Sequence, residues 1–415
     1  MRYRIDFLSP PFAGHLHPIM GMARALQGQY EVRVITTPTA AERVRKEGIE
    51  ALNMLEGWET RLTAIVDTPT AVGSNPRKLY RQLSESFTLH RQVRAEVEQL
   101  YRRSRPDLMI ADFTLLAAGA IAKEHGIPWW TSLPSPCVLD GGNGPPCYLG
   151  GLAPMTGRLG KLRDRLGWAV VHGFKRAVGC LLRREMRAIG AEAVFRPDGS
   201  ETAYSDQMIL ALGWQDLEFR SDWPSRVCFV PPLLYAPAVD CEPPIMVPGK
   251  AQILVTLGTH LRRMKDRVAA AVQEVAALTP HIEYHFSDGD IGGNHRHAQG
   301  NFQRIPYIDY RSIGRYDLVV HHAGAGVMSH CLANGRPAIV YPVDYDQFDN
   351  AARLEYAGLA RRLRHLRDLR SAMEAALSDG AMRDRCRRFA RNHDAAQAVE
   401  VLRAKVDARF GDRHR

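Results

Sequence analysis

The chain is marked first by what it does without. No apolar run approaches the ~20 residues needed to span a bilayer, and its start shows no charged segment leading into an apolar core and a small-residue cleavage site. A cytoplasmic location is therefore expected. The seven cysteines, Cys137, Cys147, Cys180, Cys228, Cys241, Cys331 and Cys386, include no CxxC pair and no nearby histidine at zinc spacing. This excludes a disulfide-built scaffold and reads as reduced thiols, with no metal expected. No GxGxxG follows the first predicted strand, which removes the main support for a dinucleotide-binding dehydrogenase. Internal repeats and low-complexity tracts are also lacking. The net charge of +10 comes from arginines spread along the chain, not from a basic patch interleaved with aromatics. Nucleic acid is thus not an expected partner, whereas anionic small molecules or a membrane surface suit the charge.

What is present fits two domains. The 415 residues, 45% hydrophobic and 24% charged, exceed one ordinary core and suit two units of roughly 200 residues. A proline-dominated, aperiodic stretch over 231–250 reads as the linker. It separates residues 1–230 from 251–390, and 391–415 form a C-terminal helix and tail that could pack back on the first domain, with frayed final residues.

In the first half, Arg2–Leu8 reads as a strand, Ser9–Pro18 as its loop, Ile19–Leu26 as a helix and Tyr30–Thr36 as a second strand. A helix over Lys78–Arg103 precedes Asp107–Asp112, a strand ending in a carboxylate. Two candidates for proton chemistry follow strands here. His15, with His17 as its local rival, could equally be a structural or solvent-exposed loop histidine, and Asp112 could equally cap a helix. Leu133–Pro154 reads as irregular loop. Between Leu159 and Ile189, apolar residues at helical spacing are interleaved with arginines and lysines. Such a stretch over 158–189 suits peripheral contact with an anionic membrane or a lipid-like acceptor, or is a surface helical pair packed on the first domain.

In the second half, Gln252–Leu257 is a strand followed by Gly258-Thr259-His260, and His281–Phe286 is another. Asp317–Gly358 reads as strand, glycine-containing turn, helix, strand and polar loop, a βαβ unit with a ligand at its turn. The helix from about Val327 to Ala333 would open with unpaired N–H groups at the positive end of its dipole, which favours an anion, phosphate foremost.

His322, Gly324 and Gly326, followed by Gly335-Arg336-Pro337, Asp346-Gln347 and Asn350-Ala351, resemble the donor signature of family-1, UDP-glycosyltransferase-like enzymes of bacterial natural-product type. In the first half, Gly14-His15 with Pro18 resembles the GHxxP loop of that family, so the resemblance covers most of the chain. It implies an α/β GT-B fold, two facing Rossmann-like domains with parallel sheets and a deep interdomain cleft. It also implies inverting transfer of a sugar from a UDP- or dTDP-sugar to a hydroxyl of a hydrophobic small molecule, with no cofactor beyond the nucleotide sugar as co-substrate. His15 would be the general base, oriented by Asp112. Donor contacts would come from Gly258, Thr259, Ile305, His322, Gly324, Ala325, Gly326, Val327, His330, Asp346 and Gln347. Acceptor contacts would come from Phe12, Gly14, Phe113 and Ser135. The protein would act as a monomer or homodimer.

Two acidic pairs could imitate a metal-binding DxD. Asp288-Gly289-Asp290 reads as a turn, and Asp344-Tyr345-Asp346 overlaps the sugar-binding Asp346-Gln347. Two departures stand out: Val327 replaces a hydroxyl residue of the family, and His330 replaces a ribose-holding glutamate, so it could face a hydroxyl or phosphate or lie on the helix surface. A GT-B sugar-nucleotide epimerase and a catalytically silent partner protein are the alternative readings.

Overall fold

A computed structural model describes residues 2–66, 76–140, 143–238, 242–394 and 396–411. Cys241, part of the expected linker at 239–241 and the tail beyond 411 lie outside the described residues. Seven strands between Arg4 and Val230 form one sheet: β1 (Arg4–Leu8), β2 (Glu31–Thr36), β3 (Glu50–Asn53), β4 (Leu108–Asp112), β5 (Trp129–Leu133), β6 (Met208–Leu212) and β7 (Val227–Val230). Their order is β3-β2-β1-β4-β5-β6-β7, and every neighbouring pair is parallel. A second sheet contains β8 (Ala251–Thr256), β9 (Ile282–Ser287), β10 (His297–Gln299), β11 (Phe302–Ile305), β12 (Leu318–His321), β13 (Ala338–Val340) and β14 (Ala360–Arg362). Its order is β10-β11-β9-β8-β12-β13-β14. Only the edge pair β10–β11 is antiparallel among these strands.

The central strands, such as β1, β4, β6, β8 and β12, are rich in Val, Ile, Leu and other apolar residues and buried along most of their length, as sheets covered on both faces require. Register explains one polar exception. Asp6 and Arg33 are Cα partners across β1 and β2 and meet in a buried, two-pronged ion pair, with Nη2 to Oδ2 at 2.7 Å and Nε to Oδ1 at 2.8 Å. Burial still raises the Asp6 pKa above the ordinary carboxylate value, against the opposing pull of Arg33.

In each sheet the strand order reverses beside its first strand, between β1 and β4 and between β8 and β12. Ligands of open parallel sheets bind outside the carboxyl ends of the strands at such points. Helices Ala13–Leu26 and Ala325–Ala333 leave these two reversal points and pack against each other, so the two candidate loops face one another across a cleft.

After the second domain the chain returns to the first. Helix Gln397–Gly411 buries Ala398, Leu402, Val406 and Phe410 in the same apolar cluster as Ile5, Phe7 and Leu26. Phe410 stacks on Tyr3 with ring centroids 4.2 Å apart.

Candidate functional site

His15 stands in the first turn of helix Ala13–Leu26, directly after β1. Pro18 lies inside that helix and lacks the N–H that would bond the carbonyl of Gly14. Asp112 is the last residue of the adjacent β4. The imidazole Nδ1 lies 3.0 and 3.1 Å from the two carboxylate oxygens. Asp112 is fixed in turn, because its Oδ1 accepts from the backbone N–H of Thr114 at 3.0 Å and from the Thr114 hydroxyl. Asp112 therefore closes a local turn and does not cap the helix Ala118–His125 that follows. Burial opposes protonation of His15, but Asp112, with a further contribution from Asp346 across the cleft, outweighs it and holds the imidazole pKa above its ordinary value.

His17 has a different environment. It meets the ring of Tyr235 edge-on, and burial, followed by His330 and Arg43, lowers its pKa to about 4. It lines a cavity of about 210 Å³ together with Phe12, Arg43, Tyr235, Thr259 and His260.

On the facing domain, the turn after β12 differs from its sequence reading. The left-handed residue is Ala323, at φ 66°, and not a glycine; its N–H donates to His321 Nδ1 at 3.0 Å. Gly324 has an ordinary extended conformation as the helix N-cap. It is required because a Cβ there would lie 2.3 Å from His322 Nε2, and a Cβ at Gly258, itself at φ 70°, would lie 2.9 Å from His322 Cε1. Two glycines thus hold one imidazole between them. Gly326 has open space around its Cα. The helix begins at Ala325, two residues earlier than the sequence predicts, so the backbone N–H groups of Ala325, Gly326 and Val327 are its unpaired first-turn donors. Burial, then His260 and Lys265, lowers the His322 pKa to about 4, leaving the ring neutral near pH 7. Its Nδ1 is buried without a hydrogen-bond partner among the described residues.

Not every expected contact faces the cleft. The side chains of Ile305 and Val327 lie in an apolar cluster with Leu254 and Val319, and the Ile305 carbonyl accepts from the Asp288 N–H at 3.0 Å. His330 is not on the helix surface: it is buried, with Nε2 3.5 Å from the Tyr235 carbonyl and its ring edge-on to Tyr310. Gln347 spends its Oε1 on the N–H groups of Val343 and Asp344, at 2.9 and 3.0 Å, and so shapes the loop.

Asp346 crosses the cleft and accepts from the Ser135 hydroxyl. Phe113 lies 5.7 Å, ring to ring, from His15, and Phe12 lies 5.0 Å from His260. Gly14 leaves open space beside the dyad. Contacts invisible in sequence reinforce this union. Cys137 Sγ donates to Asn350 Oδ1 at 3.2 Å, and Asn350 Nδ2 donates to the Ala323 carbonyl at 3.1 Å. Tyr148 N–H donates to Asp349 Oδ2 at 2.8 Å.

Among the described residues, no group of three or more histidine, cysteine or carboxylate side chains gathers as a metal site. The two acidic pairs are engaged otherwise, Asp288 by Arg304 and His295 and Asp344 by Arg263.

Two facing Rossmann-like domains with a histidine–carboxylate pair on one side and a helix N-terminus on the other define a GT-B protein. Residues 253–405 match the glycosyltransferase family 28 C-terminal domain. The L-demethylnoviosyl transferase of Streptomyces niveus is 24% identical over 93% of both chains. The structure of the glycotransferase of kitacinnamycin superposes with a TM-score of 0.74 at 20% identity, covering 99% of both chains. That of SsfS6 from Streptomyces sp. SF2575, complexed with thymidine diphosphate, gives 0.67 at 18% identity, over 98% of this chain and 99% of the other. The chain is a glycosyltransferase with the GT-B fold, similar to those of bacterial natural-product biosynthesis.

Proposed function

We propose that the enzyme transfers a sugar, with inversion, from a UDP- or dTDP-sugar to a hydroxyl of a hydrophobic small molecule. The observation that carries this reading is the His15–Asp112 pair, set opposite the His322 turn. Asp112 accepts from Nδ1–H, which leaves the Nε2 lone pair of His15 to take the acceptor proton. The acceptor oxygen forms the new bond to the anomeric carbon as the bond to the diphosphate oxygen breaks on the opposite face. Asp112 stabilises the imidazolium that results.

The departing diphosphate gains negative charge. Support for its placement comes from the N–H groups opening helix Ala325–Ala333, the neutral imidazole of His322 and the dipole of that helix. Asp346, on the same domain as the donor turn and facing the base across the cleft, suits sugar hydroxyls. The same carboxylate contacts Ser135 in the described state, so donor binding exchanges that contact for one to the sugar. This chemistry needs no metal or cofactor. A thymidine diphosphate complex in a structural relative favours a dTDP donor as the first to try.

The experiment is turnover of dTDP- and UDP-sugars with a panel of phenolic and macrocyclic acceptors. His15→Ala should lower kcat by about 10²–10⁴-fold with nucleotide affinity unchanged. Full turnover by that variant would remove His15 as the base.

A further inference from the structure

Helix Gly157–Leu181 is amphipathic, but it is folded with its bulky apolar side outward. Leu159, Leu162, Leu166, Val170, Phe174 and Leu181 are all more than half exposed, Leu159 at 75%. At 100° per residue these positions fall within about one third of the helix circumference. The inward face is built from small residues: Gly160, Gly167 and Val171 are the buried positions. A Cβ at Gly167 would lie 2.6 Å from Pro146, so this face sits tight on the loop beneath it. Trp168 Nε1 also donates to the Gly144 carbonyl there, at 3.1 Å. The leucines are therefore not a core displaced by poor packing. Single exposed apolar residues are ordinary, but a continuous stripe along a helix of roughly 37 Å marks an interaction surface.

The charges beside the stripe identify its partner. Arg158, Lys161, Arg165 and Arg176 are exposed along one flank, and Arg183, Arg184 and Arg187 on the following helix Arg183–Ala188 extend the same character. No exposed carboxylate lies between residues 155 and 188; Asp164 pairs with Arg163, and Glu185 is half-buried. A second copy seated symmetrically on this face would bring the same cations against one another. A convex ridge of leucines with a basic flank instead matches a bilayer interface, where the side chains enter the acyl boundary and the cations meet anionic headgroups.

We propose that helix Gly157–Leu181 docks the enzyme reversibly on anionic lipid membranes. The test is cosedimentation of the full chain with phosphatidylcholine vesicles, with and without phosphatidylglycerol. Binding should require the anionic lipid and weaken as salt is raised. Leu162→Glu/Phe174→Glu should abolish it, and Arg158→Gln/Lys161→Gln/Arg165→Gln should reduce the partition coefficient by about 100-fold. All five positions line the exposed or flanking surface, and unchanged thermal unfolding would verify that both variants fold. Equal binding to neutral vesicles, or binding indifferent to either variant, overturns the proposal. So does an absence of vesicle binding, and a dimer split by Leu162→Glu/Phe174→Glu in sedimentation would then assign the stripe to a second copy.

Discussion

His15 and His322 are both imidazoles in the cleft, yet their surroundings drive them in opposite directions. Asp112 raises the pKa of His15 above the ordinary ~6.5, whereas burial and cationic neighbours hold His322 at about 4. A base must be unprotonated, so kcat/KM should rise with pH through the raised pKa of His15. Asp112→Asn removes the charge that raises it, and the acid limb of the pH profile should move to lower pH while kcat falls. A limb that stays in place would show that Asp112 does not set the titration. His322 does not titrate between pH 6 and 8, so nucleotide affinity should show no step there from this group. Gly324→Ala tests the placement of the ring directly. The backbone at 324 accepts alanine, but the new Cβ would stand 2.3 Å from Nε2. Calorimetry should show nucleotide binding weakened roughly 10- to 100-fold, the loss of one hydrogen bond to a charged group, with thermal stability little changed.

At the scale of elements, legibility depended on how local each signal was. His15 and Asp112 follow strands whose apolar runs are plain, and the motif glycines are contiguous. Ala323 was hidden because alanine carries no mark of a left-handed conformation. The partners Ser135–Asp346, Cys137–Asn350 and Tyr148–Asp349 lie 211, 213 and 201 residues apart, and no sequence period couples such distances. Helix Gly157–Leu181 shows a subtler limit. Its apolar spacing is visible, but spacing locates a stripe without saying which way it faces, and here glycines took the inward side. The last helix offers a test of packing at this scale. Leu402 is fully buried against the first domain, and Leu402→Ala should cost about 2–5 kcal/mol in urea unfolding. A change under about 0.5 kcal/mol would place that helix outside the cooperative core.

Across the whole molecule, buried polar contacts bridge the two domains. Arg353 Nε donates to Glu218 Oε2 at 2.8 Å, with side chains only 10% and 5% exposed. Burial raises the Glu218 pKa and Arg353 opposes that rise. Arg353→Ala would leave the carboxylate buried and uncompensated, at a cost of about 3–5 kcal/mol in chemical denaturation. Substituting both partners by apolar residues should recover most of that loss, and failure to recover would assign the effect to stacking of the Arg353 guanidinium over the Phe219 ring.

The return of helix Gln397–Gly411 to the first domain also sets an order of events at the ribosome. Domains ordinarily fold as they emerge, the N-terminal one first. Here Leu402, Val406 and Phe410 complete a core begun by Ile5 and Phe7, and Tyr30 donates its hydroxyl to Asp407. The first domain to be synthesised is thus the last to be sealed. Until that helix emerges, the apolar floor under Tyr3 and Leu26 stays open, so the nascent chain carries this exposed surface throughout the synthesis of the second domain.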